Sequence, residues 1–265
     1  MQYKICFSIT CHECPICLID IFERIRLLAP NSCAVVSCGA TSGEEFYQAV
    51  KHISSFYNNV YVNPAQHEAG WGDGRLVNLI MSNFQWAWKN IDFEYFWLEA
   101  SNALIVNPNI EEFVSSFDIG ATLTKVTPEL KDWPWTEHVL SDPLINELCQ
   151  KLNLDYPYGG QHEGLFAKKD LFKKIYDEIR EFLPFDAHNY PREESFMQTV
   201  ISTFYDQYRT TRAGCTMWIN NETLEKVVNK DYEWMANNNT YSMKPIPRDP
   251  NNDVRVFLRE RIYEN

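Results

Sequence analysis

The stretch whose reading decides the fold is Asn58–Phe113, NNVYVNPAQHEAGWGDGRLVNLIMSNFQWAWKNIDFEYFWLEASNALIVNPNIEEF. Val60–Val62 reads as a short strand, and the loop after it carries Gly70, Gly72 and Gly74. From Leu76 to Lys89 the residues Leu76, Leu79, Ile80, Phe84, Ala87 and Trp88 recur at helical spacing and form a wide apolar stripe. The aromatics lie on that stripe, so they belong to a core rather than to a ligand platform. Phe93–Leu98 (FEYFWL) is the most strand-like segment of the chain and is expected at the centre of a sheet. The polar residues after Leu98 then form the floor of a site, the loop around Trp71 forms one wall, and Asn109 caps a new helix.

Working outward, the same alternation continues on both sides. Tyr3–Thr10 is rich in β-formers. Pro15 opens a helix in which Leu18, Ile21, Phe22, Ile25 and Leu28 share a face, ended by Pro30 and Asn31. Cys33–Cys38 (CAVVSC) is a continuous apolar run, as a buried parallel strand requires, and Gly43–Phe56 follows as a helix. Beyond Phe113 the expected elements are a strand at Asp118–Leu123, a helix at Pro143–Leu152, a strand at Gly164–Ala167 and a helix at Lys169–Phe182. A further helix is expected from about Asn189 to Tyr208 with Pro191 in its first turn. Met243–Arg248 is a proline-stiffened crossing, and Val254–Tyr263 a basic amphipathic helix. Strands alternating with helices predict an α/β fold with a mostly parallel central sheet flanked by helices. We expect one domain over 1–265, with a donor half at about 1–123 and an acceptor or catalytic half at about 124–265.

A net charge of −12 disfavours nucleic acid as a partner, because that binding needs a basic face to displace counterions. No apolar run reaches the ~18 residues of a membrane span, and MQYKICFSIT lacks the apolar core of a secretory leader. The eight cysteines therefore read as reduced thiols of a cytoplasmic protein. CHECPIC places Cys11, Cys14 and Cys17 with His12 at zinc-like spacing, but no second CxxC or HxxxH completes a tetrahedral set. Buried thiols at a strand-to-helix junction are the simpler reading.

In open α/β sheets, ligands sit beyond the carboxyl ends of the strands. The turn after Leu98, the loop after Val62 and the residues around Gly164 meet that criterion. In Gly70-Trp-Gly-Asp-Gly-Arg, the glycines allow close backbone approach to a ligand, Asp73 suits a ribose or sugar hydroxyl, and Arg75 suits a phosphate; an ordinary surface turn has the same composition. Trp133, Trp135, Tyr156 and Tyr158 are loop aromatics that stack on sugars when exposed and fill a core when buried. Gln161, His162 and Glu163 adjoin a glycine pair near the expected cleft. No G-x-S-x-G elbow and no P-loop are present.

These pieces carry a resemblance. Trp71-Gly-Asp-Gly-Arg-Leu-Val-Asn before a helix, then Phe93-Glu-Tyr-Phe-Trp-Leu-Glu-Ala-Ser-Asn, resemble the "WG-x-x-x-LV" helix and "YF-x-LSGSDYPL" strand-turn of the core-2/I-branching β-1,6-N-acetylglucosaminyltransferase and peptide xylosyltransferase group. Glu163-Gly-Leu-Phe-Ala-Lys-Lys-Asp resembles its "G-S-x-x-F-V-V-S-R-E" segment, and Pro191-Arg-Glu-Glu-Ser-Phe-Met-Gln-Thr its "P-D-E-x-x-x-x-T" helix start. The order matches over Asn58 to about Val200. The resemblance implies a Rossmann-like GT-A fold and inverting transfer from a UDP-sugar to a glycan hydroxyl, with no required metal.

The family's general base falls on Glu193 counted from the proline and on Glu194 counted back from Thr199; Glu194 is preferred, with Glu163 as runner-up. Lys244 and Arg248, with Arg255 in reserve, are implied as the cations that neutralise the donor diphosphate. In the GT-A architecture a carboxylate-x-carboxylate triplet follows the central strand. Here Glu99 and Ser101 hold its two carboxylate positions with Asn102 next, a poor anchor for a hard cation, so Mn²⁺ or Mg²⁺ is not favoured as a cofactor. The family's turn Asp and proline are missing, no acidic residue follows CAVVSC, and the family's disulfides are not evident. The degenerate triplet keeps open a non-catalytic GT-A-like nucleotide- or carbohydrate-binding domain. A nucleotidyltransferase would need a second carboxylate on the metal, which Glu-Ala-Ser does not supply.

Overall fold

The structure, a computed structural model, describes residues 2–70, 72–217 and 220–263. Its first half alternates as expected: β1 (Tyr3–Cys11), a 3₁₀ turn (Pro15–Cys17), α1 (Leu18–Leu28), β2 (Cys33–Cys38), α2 (Gly43–Ser54), β3 (Val60–Val62), α3 (Leu76–Asn90) and β4 (Phe93–Ala100). β1 pairs in parallel with both β2 and β4, and β2 with β3. Next come β5 (Leu104–Ile105), α4 (Ile110–Ser115), β6 (Ile119–Gly120), β7 (Thr124–Lys125), α5 (Thr136–Ser141), α6 (Pro143–Lys151), β8 (Tyr158–Gly159), β9 (Phe166–Lys168) and α7 (Lys169–Ile179). The remaining elements are α8 (Phe196–Ser202), β10 (Thr210–Thr211), β11 (Cys215–Met217), α9 (Asn221–Val228), α10 (Tyr232–Asn237), β12 (Ser242–Lys244) and α11 (Asp253–Tyr263).

Among the described residues the central sheet has seven strands in the order β10-β6-β9-β4-β1-β2-β3. It is parallel except for β9, which runs antiparallel to β4 and to β6. A three-stranded sheet, β11-β12-β5, and a β7-β8 pair sit beside it. β1 shows why the sheet is buried on both faces. Ile5, Phe7, Ile9 and Cys11 enter one core with Leu18, Ile21, Phe22 and Ile25 of α1. Cys6 enters the other with Val77, Ile80, Met81, Phe84 and Ala87 of α3. That alternation is the period of two of a strand. Burying each of the larger of these side chains stabilises the fold by about 1.5–3 kcal/mol before entropy is counted. The aromatic stripe of α3 is core: Phe84 is fully buried and packs on Phe96 and Phe172. No helix among the described residues is long and apolar enough to cross a membrane.

Several expected boundaries move, each for a contact distant in sequence. β4 runs on to Ala100 because Ile9 and Thr10 of β1 continue the ladder opposite Glu99 and Ala100; Glu99 is therefore in the strand, not in a turn. The strand expected over Asp118–Leu123 shrinks to Ile119–Gly120, and the one expected at Gly164–Ala167 shifts to Phe166–Lys168 because Gly164 sits at φ +75°. The helix ahead of Phe182 ends at Ile179 and finishes as a 3₁₀ turn. Asn109 makes no side-chain cap; its N–H instead donates to Asn107 Oδ1 at 2.9 Å.

The long helix expected from Asn189 to Tyr208 is not formed. It breaks into a 3₁₀ turn (Arg192–Glu194), α8 and a second 3₁₀ turn (Tyr205–Gln207). Arg192 is drawn into a buried bidentate pair with Asp142 (2.7 and 3.2 Å). The Glu194 carbonyl accepts from Gly160 N at 2.9 Å instead of continuing a helix. Glu193 and Glu194 thus lie ahead of α8 rather than in the first turn of a long helix.

Candidate functional site

Parallel β1, β2, β3 and β4 end along one edge, at Cys11, Cys38, Val62 and Ala100. Because β9 runs the other way, the residues just before it arrive at that same edge. Gly164 N donates to Leu98 O (2.8 Å) and Leu98 N to Leu165 O (2.9 Å), which sets Glu163 beside the end of β4. A Cβ on Gly164 would lie 2.3 Å from Cys215 N, so glycine is what lets the chain at β11 come this close. β11 pairs in parallel with β12, Met217 opposite Lys244, and Ile246 N donates to Asn102 O at 2.7 Å. Lys244 and Arg248 are thereby carried to the same edge. Gln198 holds the carbonyls of Gly160 and Gln161 (2.9 and 3.3 Å), and Gly160 N holds the carbonyl of Glu194. Four glutamates thus converge: Glu99, Glu163, Glu193 and Glu194.

Their environments set them apart. Burial pushes Glu163 up, but His162, Lys244 and the Lys244 hydrogen bond outweigh it, so its carboxyl titrates below the usual range. Glu163 is ion-paired with Lys244 and lies 3.1 Å from His162 Nε2. Burial holds His162 neutral, lowering it to about 4 against the pull of Glu163. Glu194 is half-buried; burial and the negative charge of Glu163 raise it to about 7, with Lys244 opposing. Glu193 is more enclosed: burial first, then Glu194, Glu163 and Asp73, raise it to about 8. Glu99 is raised to about 7, mainly by burial, although the Ser242 side chain hydrogen-bonds to it and Ala100 N (3.2 Å) and Trp97 Nε1 (3.3 Å) donate to it. Glu163 is thus the easiest of the four to ionise, while burial favours the neutral form of the other three.

Buried polar groups are normally paired. Among the described residues, buried side-chain atoms of Asn102, His162, Glu163, Glu193, Gln198 and Arg248 have no hydrogen-bond partner, and all six residues are on segments that meet at this edge. Such a concentration of unmet donors and acceptors is what a polar ligand satisfies.

Glu193 has a consequence for stability. Its folded value of about 8 stands above the ordinary 4.5. Between those two values the unfolded chain releases a proton that the folded chain keeps, so stability falls as pH rises through that window. Glu193→Gln removes this contribution. The melting temperature of the variant should decline less than that of the parent between pH 5 and about pH 8, read by calorimetry on both proteins.

The expected donor residues divide. Glu99, Ser101, Asn102, Lys244 and Arg248 reach the edge. Arg75 is taken up within its own loop: it donates to Asp73 Oδ2 from Nε (2.9 Å) and Nη2 (2.7 Å) and to Glu68 from Nη1 (2.7 Å). Asp73 in turn accepts from Arg75 N (3.0 Å), and its carbonyl accepts from His188 N (2.7 Å). The pair clamps the glycine loop against the segment that carries Glu193. Trp71 lies outside the described residues. Arg255 is fully buried and bonds Asp20 Oδ2 (2.7 Å), Cys17 O (3.2 Å) and Pro247 O (2.8 Å). It anchors α11 to α1 and is withdrawn from the donor set.

Among the expected acceptor residues, Gln161 is bound to the carbonyls of Glu163 (2.9 Å) and Cys215 (2.8 Å) and serves the loop. Trp133 and Trp135 are half-buried against the core. A Cβ on Gly159 would lie 2.3 Å from Trp133, so that ring covers β8. Tyr158 is held through its backbone by Thr199 Oγ1 (3.0 and 3.1 Å).

Three contributors were not anticipated. Glu13, at the end of β1, pairs with Arg248. Asp142 holds Arg192, and Gln198 fixes the Gly160 loop. Position after the first strand is a signal for Glu13; nothing local points to the other two. Among the described residues no group of three or more His, Cys, Asp or Glu side chains is arranged to hold a metal ion, the CHECPIC cluster included.

No protein-family model matches the sequence, and no curated relative matches it. Solved structures do align. A galactosyltransferase, LgtC, in complex with donor and acceptor sugar analogues, aligns over 97% of this chain and 93% of its own at 9% identity, with a TM-score of 0.47. An active-site mutant of LgtC aligns over 95% and 93% at 9% identity, with a TM-score of 0.47. At that identity no residue role passes from LgtC to this chain.

Proposed function

We propose that this chain is an inverting glycosyltransferase of the GT-A type, moving a sugar from a UDP-sugar donor to a hydroxyl of a glycan acceptor. The observation that carries the reading is Glu194. It is a half-buried carboxylate raised to about 7, and it stands within the field of the ionised Glu163–Lys244 pair at the carboxyl edge of the sheet. A general base works best when its pKa lies near the operating pH. The sequence resemblance supplies the reaction class, and the parallel sheet, with its cluster of unmet polar atoms at the ligand-binding edge, suits it.

The chemistry then runs as a single displacement. Glu194 takes the proton of the acceptor hydroxyl as that oxygen attacks the anomeric carbon from the face opposite the diphosphate. The bond from that carbon to the diphosphate oxygen breaks, and the electron pair leaves with the diphosphate. Lys244 and Arg248 meet the developing charge. Glu163 and Glu13 orient the two cations, and neutral His162 offers a hydrogen bond.

A second reading has an observation of its own. Lys244 and Arg248 are each already ion-paired with a carboxylate, Glu163 and Glu13. A domain that binds a neutral glycan without any diphosphate has that balance of charge. Thermal-shift and calorimetric titration with UDP, UDP-sugars and neutral glycans, each with EDTA and with Mn²⁺, separates the two. Binding the native state raises apparent stability by mass action. A shift with UDP that survives EDTA is expected, and Lys244→Ala should weaken UDP about 10- to 100-fold, the size of a hydrogen bond to a charged group. A shift with UDP only when Mn²⁺ is present moves the diphosphate contact to a metal at Glu99. Glycan binding with no nucleotide binding would sink the transferase reading.

A further inference from the structure

The CHECPIC cluster is left unused by the transfer chemistry, yet two of its thiols are in contact. Cys14 Sγ and Cys17 Sγ lie 3.3 Å apart. The cause is local. Pro15–Cys17 is a 3₁₀ turn, closed by Cys17 N to Cys14 O at 3.1 Å, and Cys14 caps it in the left-handed region at φ 48°, so the two residues stand at the two ends of one tight turn. Pro15 fixes the first position of that turn, so the two sulfurs are held together before any reaction. Cys14 is partly buried, whereas Cys17 is 2% exposed. One thiol is open to a reagent and the other waits behind it.

We propose that Cys14 and Cys17 form a redox-active dithiol site, converted by a low-molecular-weight disulfide such as oxidised glutathione into an intramolecular disulfide. The Cys14 thiolate attacks one sulfur of glutathione disulfide, forming a mixed disulfide and releasing one glutathione thiolate, which takes up a proton. The Cys17 sulfur, after giving up its proton, attacks the Cys14 sulfur of that mixed disulfide and releases the second glutathione. Two protein thiols are oxidised to one disulfide, and one glutathione disulfide is reduced to two thiols.

The order follows from access. Burial, and then the hydrogen bond shared with Cys14, push the Cys17 thiol up to about 12, with Arg255 opposing, so it is slow to attack an outside reagent but sits beside the sulfur it must reach. The remaining thiols are poorer candidates: Cys6, Cys11, Cys33, Cys38, Cys149 and Cys215 are all buried. The segment just before the turn bears Glu13, the partner of Arg248, so the thiol pair lies beside the candidate site but its chemistry does not depend on what that site binds.

The test uses the full chain incubated with graded ratios of oxidised to reduced glutathione, trapped by alkylation and read by peptide mass spectrometry. The expected result is a Cys14–Cys17 cross-linked peptide, a loss of two alkylatable thiols from the eight, and full recovery in dithiothreitol. Cys149→Ser should still lose two thiols, whereas Cys17→Ser should stop at a glutathione adduct on Cys14 and Cys14→Ser should lose none. A lasting glutathione adduct on Cys14 of the unmodified sequence, a cross-link between Cys11 and Cys38 instead, or no reaction at all overturns the proposal. Because the direct peptide map is made on the unmodified sequence, a variant that folds poorly does not blur the answer.

Discussion

Glu194→Gln should lower the rate of sugar transfer by about 10²- to 10⁴-fold, the range that a positioned general base contributes, while UDP affinity is retained. Glutamine keeps the size of the side chain and the backbone contact from Gly160 N to the Glu194 carbonyl; what it lacks is the ability to take a proton. The pH dependence carries a second signature. The base must be ionised to act, and burial raises it to about 7. Below that value kcat/KM should fall about tenfold per pH unit as the working fraction disappears, and above it the profile should level off. In Glu194→Gln the acidic limb should be absent from the residual activity. Glu163→Gln gives a different pattern: it frees Lys244 from its carboxylate partner and so alters donor affinity together with rate. If Glu194→Gln retains full activity while Glu193→Gln abolishes it, the base is the neighbouring carboxylate.

Arg192→Leu should destabilise the protein by about 3–5 kcal/mol, the usual result of removing one partner of a buried ion pair. The Asp142 side chain is 0% exposed and that of Arg192 5% exposed. Asp142 also accepts from Tyr190 OH (2.8 Å) and Leu144 N (3.0 Å), and Arg192 Nη1 donates to Asp186 O (3.1 Å). Without the guanidinium a carboxylate stays buried with two neutral donors. Changing both partners, as in Asp142→Asn with Arg192→Leu, should cost less than the sum of the single changes. Denaturant unfolding of the three variants reads all of this.

The pair also carries a pH signature. Burial raises Asp142, but the Arg192 and Tyr190 hydrogen bonds outweigh it and hold it below its ordinary 3.8. Its contribution is present above that ordinary value and is lost as pH falls through the folded one. The parent should therefore lose stability in acid more steeply than Arg192→Leu. Because Arg192 precedes Glu193 and Glu194, the variant should also lose transfer activity at temperatures where it remains folded.

The elements from β2 to α3 were legible because their signals are local. β2 and β3 fall where the apolar runs place them, and α3 where its stripe places it, since a strand buried on both faces and a helix with one apolar side each write their period into the sequence. What was not legible depends on partners far along the chain. Nothing in Arg192-Glu-Glu announces that the arginine turns inward to Asp142, 50 residues earlier, and that contact is what divides the expected long helix. Glu99 looked like a turn residue because the ladder that keeps it in β4 is supplied by β1. Arg255 looked like a free cation on a basic helix; its partner, Asp20, lies 235 positions away. At the sheet edge, residue types could be nominated from sequence, but the pairing of Glu163 with Lys244, 81 residues apart, depends on β9 running antiparallel and on Gly164 admitting β11.

The joining of α11 to α1 bears on how the chain is made. Asp20 is 5% exposed and is held by Arg255 and Arg259, while Arg24, 4% exposed, donates to the carbonyls of Ile105 and Leu258. On a ribosome adding about 5–20 residues per second, Asp20 waits roughly 10–50 s for Arg255 to be synthesised. During that interval α1 can pack on β1 through Leu18, Ile21, Phe22 and Ile25, but Asp20 lacks both of the arginines that hold it. The first helix to be translated is thus among the last elements to be covered, and nascent chains stalled before Arg255 should be open to protease along α1.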